Sequence, residues 1–354
     1  MVRDYLSACR FPTIEVGNVP VPRVILGHLP FIGESYQGPE RNREYAARFS
    51  RVENTVRVMR RAVEDYGVTV FAAAAHLGEV LPRLFYRAIE ETVEATGVEI
   101  AVIPCLRIPL KLDGEPVDDY RRWLTYYEVE RSLTGEKALR EKYLNDPILQ
   151  CREGWKRRFR EALGGGLKPY RAEALRSLQV DYQILDEEVK SIEGFNPILV
   201  ELGSETDFLA MVGRLDLLSE TVEWLRGKLG LPVVLGVHHA GTTIPILERA
   251  QIDFCGYITP VNPLGALMLP DMDAALKAIR AAEKPVIAIK PLAGGRVPPE
   301  EALRFVYEDV NVEACMVGAA SEEEVEEDFS TALRILTKPS KHSLTEEEIR
   351  EGSR

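Results

Sequence analysis

Four of the five histidines in this 354-residue chain directly follow short apolar runs. His28 follows RVILG, His76 follows VTVFAAAA, and the adjacent His238 and His239 follow VVLGV; His342 lies apart, near the carboxyl terminus. Imidazole titrates near neutrality and also ligates metals. Two further ionisable groups sit inside apolar runs, Glu201 in PILVEL and Lys290 at the end of PVIAIK. A charge placed there is expensive unless it is paired or used. Desolvation would turn the Lys290 amine into a base or a Schiff-base nucleophile. One reading is metal-free acid–base chemistry, in which His28 or His238 moves a proton, Glu201 orients the imidazole and Lys290 assists. Another is a divalent metal held by two or three imidazoles together with Glu201 or Glu205, with one position left for water. No HxH or HExxH spacing supports the second. The plain alternative is a polar set of loops in which Lys290 and Glu201 are paired with structural partners.

Other residues in the same loops suit substrate binding. Arg41, Arg107 and Arg296, with Arg43 nearby, could grip a carboxylate or phosphate in bidentate fashion. His76, Glu205, His239 and Asn262 are expected beside the substrate. Gly294, Gly295 and Gly318, with Ser321 at a helix start, suit a phosphate held by backbone N–H groups, although tight turns and caps use the same residues. A small anionic metabolite is the expected substrate.

These residues need elements to position them. The stretch Leu231–Pro263 reads as one β-α-β step, with strands at Val233–Val237 and Asp253–Ile258 and a helix at Ile244–Ala250, broken and capped by Gly241, Thr242 and Thr243. Similar near-continuous apolar runs occur at Arg23–Gly27, Val68–Ala72, Glu99–Pro104, Pro197–Leu202, Pro285–Lys290 and Glu313–Val317. Amphipathic helical patterns separate them. Eight strands alternating with helices predict a parallel sheet with right-handed crossovers, closed as a (β/α)8 barrel. An open doubly wound sheet is the alternative, and the absence of a GxGxxG after the first strand weighs against it. Thr13–Pro22, alternating around Gly17-Asn18, predicts a preceding β-hairpin. His28 to about Ser50 reads as a long polar loop. Residues 106–196 carry helical patterns without a core strand and form an expected insertion, either a lid over the mouth or a docking surface through which the chain could form a homo-oligomer. Ser321 and Glu324 suit a capping box for the last helix, and residues 338–354 form a charged tail with a short helix expected after Thr345.

The net charge of −12 argues against a nucleic-acid partner or an anionic membrane surface. No apolar run approaches the ~20 residues of a membrane span, and no signal peptide is expected. The five cysteines are scattered without a CxxC, which fits reduced thiols and a cytoplasmic location. Abundant Glu, Arg and Lys is a composition that thermophile proteins share.

Several segments resemble aldo-keto reductases in order and spacing. PTIEVGNVPVPRVILGHLPFIG is similar to their opening hairpin and first strand, GVHHAGTTIPILERAQIDFCGYITPVNP to their fifth and sixth strands, KPVIAIKPLAGG to the seventh and VGAASEEEVEEDF to the eighth. The resemblance implies a TIM barrel and NAD(P)H-dependent carbonyl reduction by an Asp, Tyr, Lys and His set. The matching positions do not carry it. The second strand ends FAAAAHLG, with Ala72 and Leu77 where the aspartate and tyrosine would stand. The third ends Pro104-Cys105 without a lysine, and the fourth reads ILVELG without a histidine. The chain is therefore read as a branch that keeps the barrel without standard hydride transfer. An oxidoreductase with an atypical proton donor, and a non-catalytic binding or assembly protein, are the alternatives.

Overall fold

The computed structural model describes residues 4–75 and 78–337. His76, Leu77, the charged tail and His342 lie outside the described residues.

Thr13–Val16 and Val19–Pro22 pair as an antiparallel hairpin. Gly17 and Asn18 both take left-handed backbone, φ 59° and 64°, as a two-residue turn between twisted strands requires. Eight parallel strands follow: β1 (Val24–Gly27), β2 (Val70–Ala74), β3 (Ala101–Leu106), β4 (Val200–Leu202), β5 (Val233–Gly236), β6 (Tyr257–Pro260), β7 (Val286–Ile289) and β8 (Ala314–Gly318). They hydrogen-bond in sequence order, and β8 returns to β1 with Gly318 opposite Gly27, closing the barrel. Closure leaves no strand edge exposed.

In chain order the helices are α1 (Pro39–Phe49), α2 (Val52–Tyr66), α3 (Val80–Thr96), α4 (Asp119–Thr134), α5 (Glu136–Asn145), α6 (Trp155–Glu161) and α7 (Tyr182–Ile192). They continue with α8 (Glu205–Met211), α9 (Leu215–Leu229), α10 (Ala240–Leu247), α11 (Met272–Ala281), α12 (Pro299–Arg304) and α13 (Glu322–Leu336). Among the described residues, no helix is long and apolar enough to cross a membrane.

Two apolar layers result. Side chains pointing into the barrel, among them Ile25, Val70, Ile103, Leu199, Val234, Ile258 and Ile287, pack on Tyr5, Val16 and Val21 at the hairpin end. The hairpin thus seals the amino end, so the carboxyl end forms the mouth. Outward-facing strand residues pack against the helices in a second, larger core. Half of the expected capping box at α13 forms: Glu324 N–H donates to Ser321 Oγ at 3.1 Å, but the Glu324 carboxylate accepts from Ala320 N–H, one residue before the cap, at 2.6 Å.

Three expectations need correction. The loop after β1 is not structureless, because α1 occupies half of it, anchored by buried Tyr45 and Phe49. Strand six lies at Tyr257–Pro260, a few residues later than the apolar run Asp253–Ile258 suggested. The segment before it turns locally at Ile252–Phe254 and reaches β5 through Cys255 N–H, which donates to Val233 O at 2.8 Å, while Phe254 packs edge-on against Tyr257. Helix α10 begins at Ala240, and Thr242 and Thr243 are buried inside it rather than capping it.

The insertion carries more than helices. Leu110–Leu112 pairs with Glu115–Pro116 and with Leu178–Val180 in a small antiparallel sheet. Helix α7, with Leu185, Val189 and Ile192 buried, runs between β3 and β4 and fills the place of a barrel helix. The additional material is therefore residues 107–181. Its helices dock on the mouth through buried polar groups. Glu130 of α4 accepts from His239 Nδ1 (2.8 Å), Thr242 Oγ1 (3.1 Å) and Tyr143 Oη (2.5 Å). Asp146 accepts from Lys142 Nζ at 2.9 Å and from the backbone N–H groups of Ile148, Leu149 and Leu267. Burial opposes a charge on His239, but the Glu130 carboxylate and Asp207 outweigh it and hold the imidazole above its usual value.

Candidate active site at the barrel mouth

Strand alternation decides what faces the mouth. One pleat above Ile103 on β3 is Cys105, and one above Leu199 on β4 is Glu201; the two are register partners. Gly236 ends β5, His238 follows it, and Lys290 follows β7. These residues line a cavity of about 780 Å³, together with Gly27, His28, Ala72, Ala74, Tyr36 and Gly318. The floor is built from small residues, which leaves room for the longer side chains.

Gly236 has a direct reason to lack a side chain. A Cβ there would lie 2.6 Å from Glu201 Oε1 and 2.9 Å from Leu202 O. We expect Gly236→Ala to lose about 1–3 kcal/mol by overpacking, measured by urea unfolding. Part should return in the Gly236→Ala/Glu201→Ala double variant. Strictly additive losses would show that the carboxylate is not what occupies the space.

The ionisable groups shift one another. Burial pushes the Glu201 carboxyl up to about 7, against the pull of the Lys290 ammonium and the Cys105 thiol that hydrogen-bonds it. Burial brings the Lys290 amine down to about 8, opposed by Glu201, Glu34 and Cys105. Lys290 Nζ lies 3.4 Å from His238 Nε2 and 5.0 Å from the centroid of the Tyr36 ring. Burial, then Lys290, hold His238 well below the usual imidazole range. His238 is thus a neutral acceptor for Lys290 and not the neutral-pH proton carrier expected from sequence. Its backbone N–H donates to Asp207 Oδ2 at 2.7 Å, which fixes the turn after β5.

The loop after β7 holds its shape by strain. Lys290, Ala293, Gly294 and Gly295 all take left-handed backbone, φ 58°, 48°, 70° and 73°. Non-glycine residues rarely adopt it without a structural or functional reason. Tyr36, at φ 57°, meets this loop: Arg296 Nη1 donates to Tyr36 O at 2.7 Å, and the Cys151 thiol donates to the same oxygen at 2.9 Å. At Gly294 a Cβ would lie 2.9 Å from Tyr36 O, so only glycine permits the approach.

Of the residues expected from sequence, His28, Glu201, His238, Lys290, Arg107, Glu205, Arg296, Gly294, Gly295 and Gly318 line the one cavity. Several are already engaged. Glu205 pairs with Arg122 at 2.7 Å, and Arg296 is spent on the backbone oxygens of Tyr36, Ala293 and Pro147. Four are elsewhere. His239 is buried under the insertion, on Glu130. Asn262 is buried and closes a turn with both backbone groups of Ala266. Arg41 is exposed and pairs with Glu44 at 2.7 Å. Ser321 only caps α13. Tyr36 and Cys105 were not anticipated. Cys105 could have been found by counting one pleat beyond Ile103, whereas nothing in the loop around Tyr36 marks it.

The lining is rich in carboxyls: Arg107, Lys290 and Arg296 share it with Glu34, Glu201, Glu205, Glu324, Glu327 and Asp328. Not all of them are charged, because burial pushes Asp328 up to about 8 and Glu201 up to about 7, and Glu205 is paired with Arg122. Gly294, Gly295 and Gly318 line this cavity beside Arg107, Lys290 and Arg296. Where the resemblance places the aspartate and lysine of standard hydride transfer stand Ala72, within β2, and Cys105, near the end of β3, so the residues present do not fit nicotinamide chemistry through that set. Among the described residues, no cluster of three or more His, Cys, Asp or Glu could hold a metal ion.

No protein-family model and no curated protein matches the sequence. Solved structures similar to this chain include a putative aldo-keto reductase from Pseudomonas aeruginosa, at 14% identity and TM-score 0.49 over 92% of this chain and 98% of that one. Another is a glycerol dehydrogenase from Gluconobacter oxydans, at 14% identity and TM-score 0.46 over 98% of this chain and 94% of that one. The first bears the family name that the sequence resembles. At this identity and TM-score the likeness goes no further, and the barrel stands on its own strand pairing.

Proposed function

We propose that the mouth is the active site of an enzyme that moves a proton on a small polar metabolite, with Glu201 and Lys290 as the exchanging pair. The observation that carries this is their placement. A carboxyl brought up to about 7 and an amine brought down to about 8 project from the ends of β4 and β7 into one cavity. General acid–base groups work best when they titrate near the operating pH. Perturbed groups gathered in a cleft mark candidate active sites.

The test follows proton exchange directly. The protein is incubated in D2O with a panel of small hydroxyaldehydes, hydroxyketones and amino acids, and loss of the proton α to the carbonyl is followed by NMR. The wild type should accelerate exchange on at least one class, and Glu201→Gln should lose that acceleration. Equal rates in the wild type and Glu201→Gln would remove Glu201 as the base and with it the proposal.

A further inference from the structure

We propose that Lys290 captures an aldehyde or ketone covalently, as a protonated imine on Nζ. This deepens the reading of the mouth given above and rests on it.

Two lysines of this chain show the contrast. Lys142 is a structural lysine: its ammonium pairs with buried Asp146 at 2.9 Å and donates to Gly265 O at 2.5 Å. Among the described residues, Lys290 has no such partner. Its amine donates to the neutral imidazole of His238 at 3.4 Å and lies over the Tyr36 ring, while the same side chain faces an open cavity of about 780 Å³. A buried ammonium without a contact carboxylate is the arrangement that favours the free amine. The backbone supports the placement, since Lys290 is held at φ 58° at the strand end, aimed by a conformation that most side chains avoid.

The step balances with groups on the page. The Nζ lone pair attacks the carbonyl carbon, and the C=O π electrons move to oxygen, which takes a proton. Nζ gives up one proton, and the product is a carbinolamine. The hydroxyl then takes a proton and leaves as water while the nitrogen lone pair forms C=N. The overall change is amine plus carbonyl plus one proton to iminium plus water. Glu201, still largely protonated as pH approaches 7, is the acid facing the same cavity and supplies that proton. His238 Nε2 accepts a hydrogen bond from the amine and orients it. The iminium withdraws electrons from the adjacent carbon, which makes the α proton acidic. Ionised Glu201 is then the base for its removal.

The test is reductive trapping on the full chain. Glycolaldehyde and, separately, dihydroxyacetone are added at pH 7 with sodium cyanoborohydride, and each lysine is followed by peptide mass spectrometry over time. Lys290 should be alkylated at least tenfold faster than the exposed lysines Lys137 and Lys190, and to one adduct per chain. Lys290→Arg should show only the slow surface background while its circular dichroism and Tm stay near those of the wild type. Labelling of Lys290 at or below the surface rate with both compounds would overturn the proposal, and needs no variant. The two readings also fail separately. Exchange that depends on Glu201 without an adduct at Lys290 removes the imine and leaves proton transfer. An adduct at Lys290 with exchange unaffected by Glu201→Gln does the reverse.

Discussion

Glu130→Leu is expected to lower the unfolding free energy by about 3–5 kcal/mol, the range for removing one partner of a buried ion pair. The variant leaves His239 Nδ1, Thr242 Oγ1 and Tyr143 Oη, all buried, without their shared acceptor. The imidazole is flanked by the rings of Tyr126 and Trp123, with centroids at 4.3 and 5.5 Å, which give it apolar surroundings and no charge to replace the carboxylate. The effect should depend on pH with a definite sign. The His239 imidazolium is favoured in the folded state, so its contribution is fully present below the ordinary 6.5 and is lost as pH rises through the higher folded value. Urea unfolding at pH 6 and pH 9 measures both values. Glu130→Gln, which keeps an acceptor but not the charge, should fall closer to the wild type at pH 9 than at pH 6. A larger gap at pH 9 would mean that His239 is neutral throughout.

The second large effect is on proton transfer at the mouth. A reaction that needs Glu201 and Lys290 in opposite protonation states should give a bell with limbs near about 7 and about 8. The two groups titrate as a pair, so the limbs belong to the pair and not to either residue. Glu201→Gln should reduce the exchange rate roughly 10²–10⁴-fold, the usual worth of a positioned acid or base, and should remove the acid limb. It should also lower the Lys290 titration, because the Glu201 charge is what holds that amine up against burial. A profile flat between pH 6 and 9 in the wild type would exclude the pair as the exchanging groups.

Much of the frame was legible in the sequence because strands covered on both faces leave a simple signature. Runs such as VILG, AVIP and VIAI are apolar at consecutive positions, and each lies within or beside its barrel strand. Polar residues that follow such runs or interrupt their last positions face the mouth, so His28, Glu201, His238 and Lys290 could be gathered without knowing any distance. What failed was local. Helix α1 is strongly charged and offers only Tyr45 and Phe49 as anchors, four residues apart, so its period is faint, although Pro39 at its first turn is a start signal. Thr242 and Thr243 look like caps by propensity, but Glu130 and Asp207 accept from their hydroxyls and hold them inside α10. The acid-rich wall could not be read either, because Glu34, Glu201 and Asp328 come from distant segments that only closure of the barrel brings to one surface. His239 shows the same limit. Its type and position suggested a ligand, while its role is set by a carboxylate on α4, far away in the chain.

That separation has a consequence for synthesis. Glu130 leaves the ribosome 109 residues ahead of His239. At about 5–20 residues per second the nascent chain waits roughly 5–20 s for the partner. Throughout that interval the Glu130 carboxylate can have Tyr143 Oη but neither His239 nor Thr242, so water must serve its other oxygen and the cluster around it cannot close fully. The segment between β3 and β4 therefore completes its packing late, after β5 has been made.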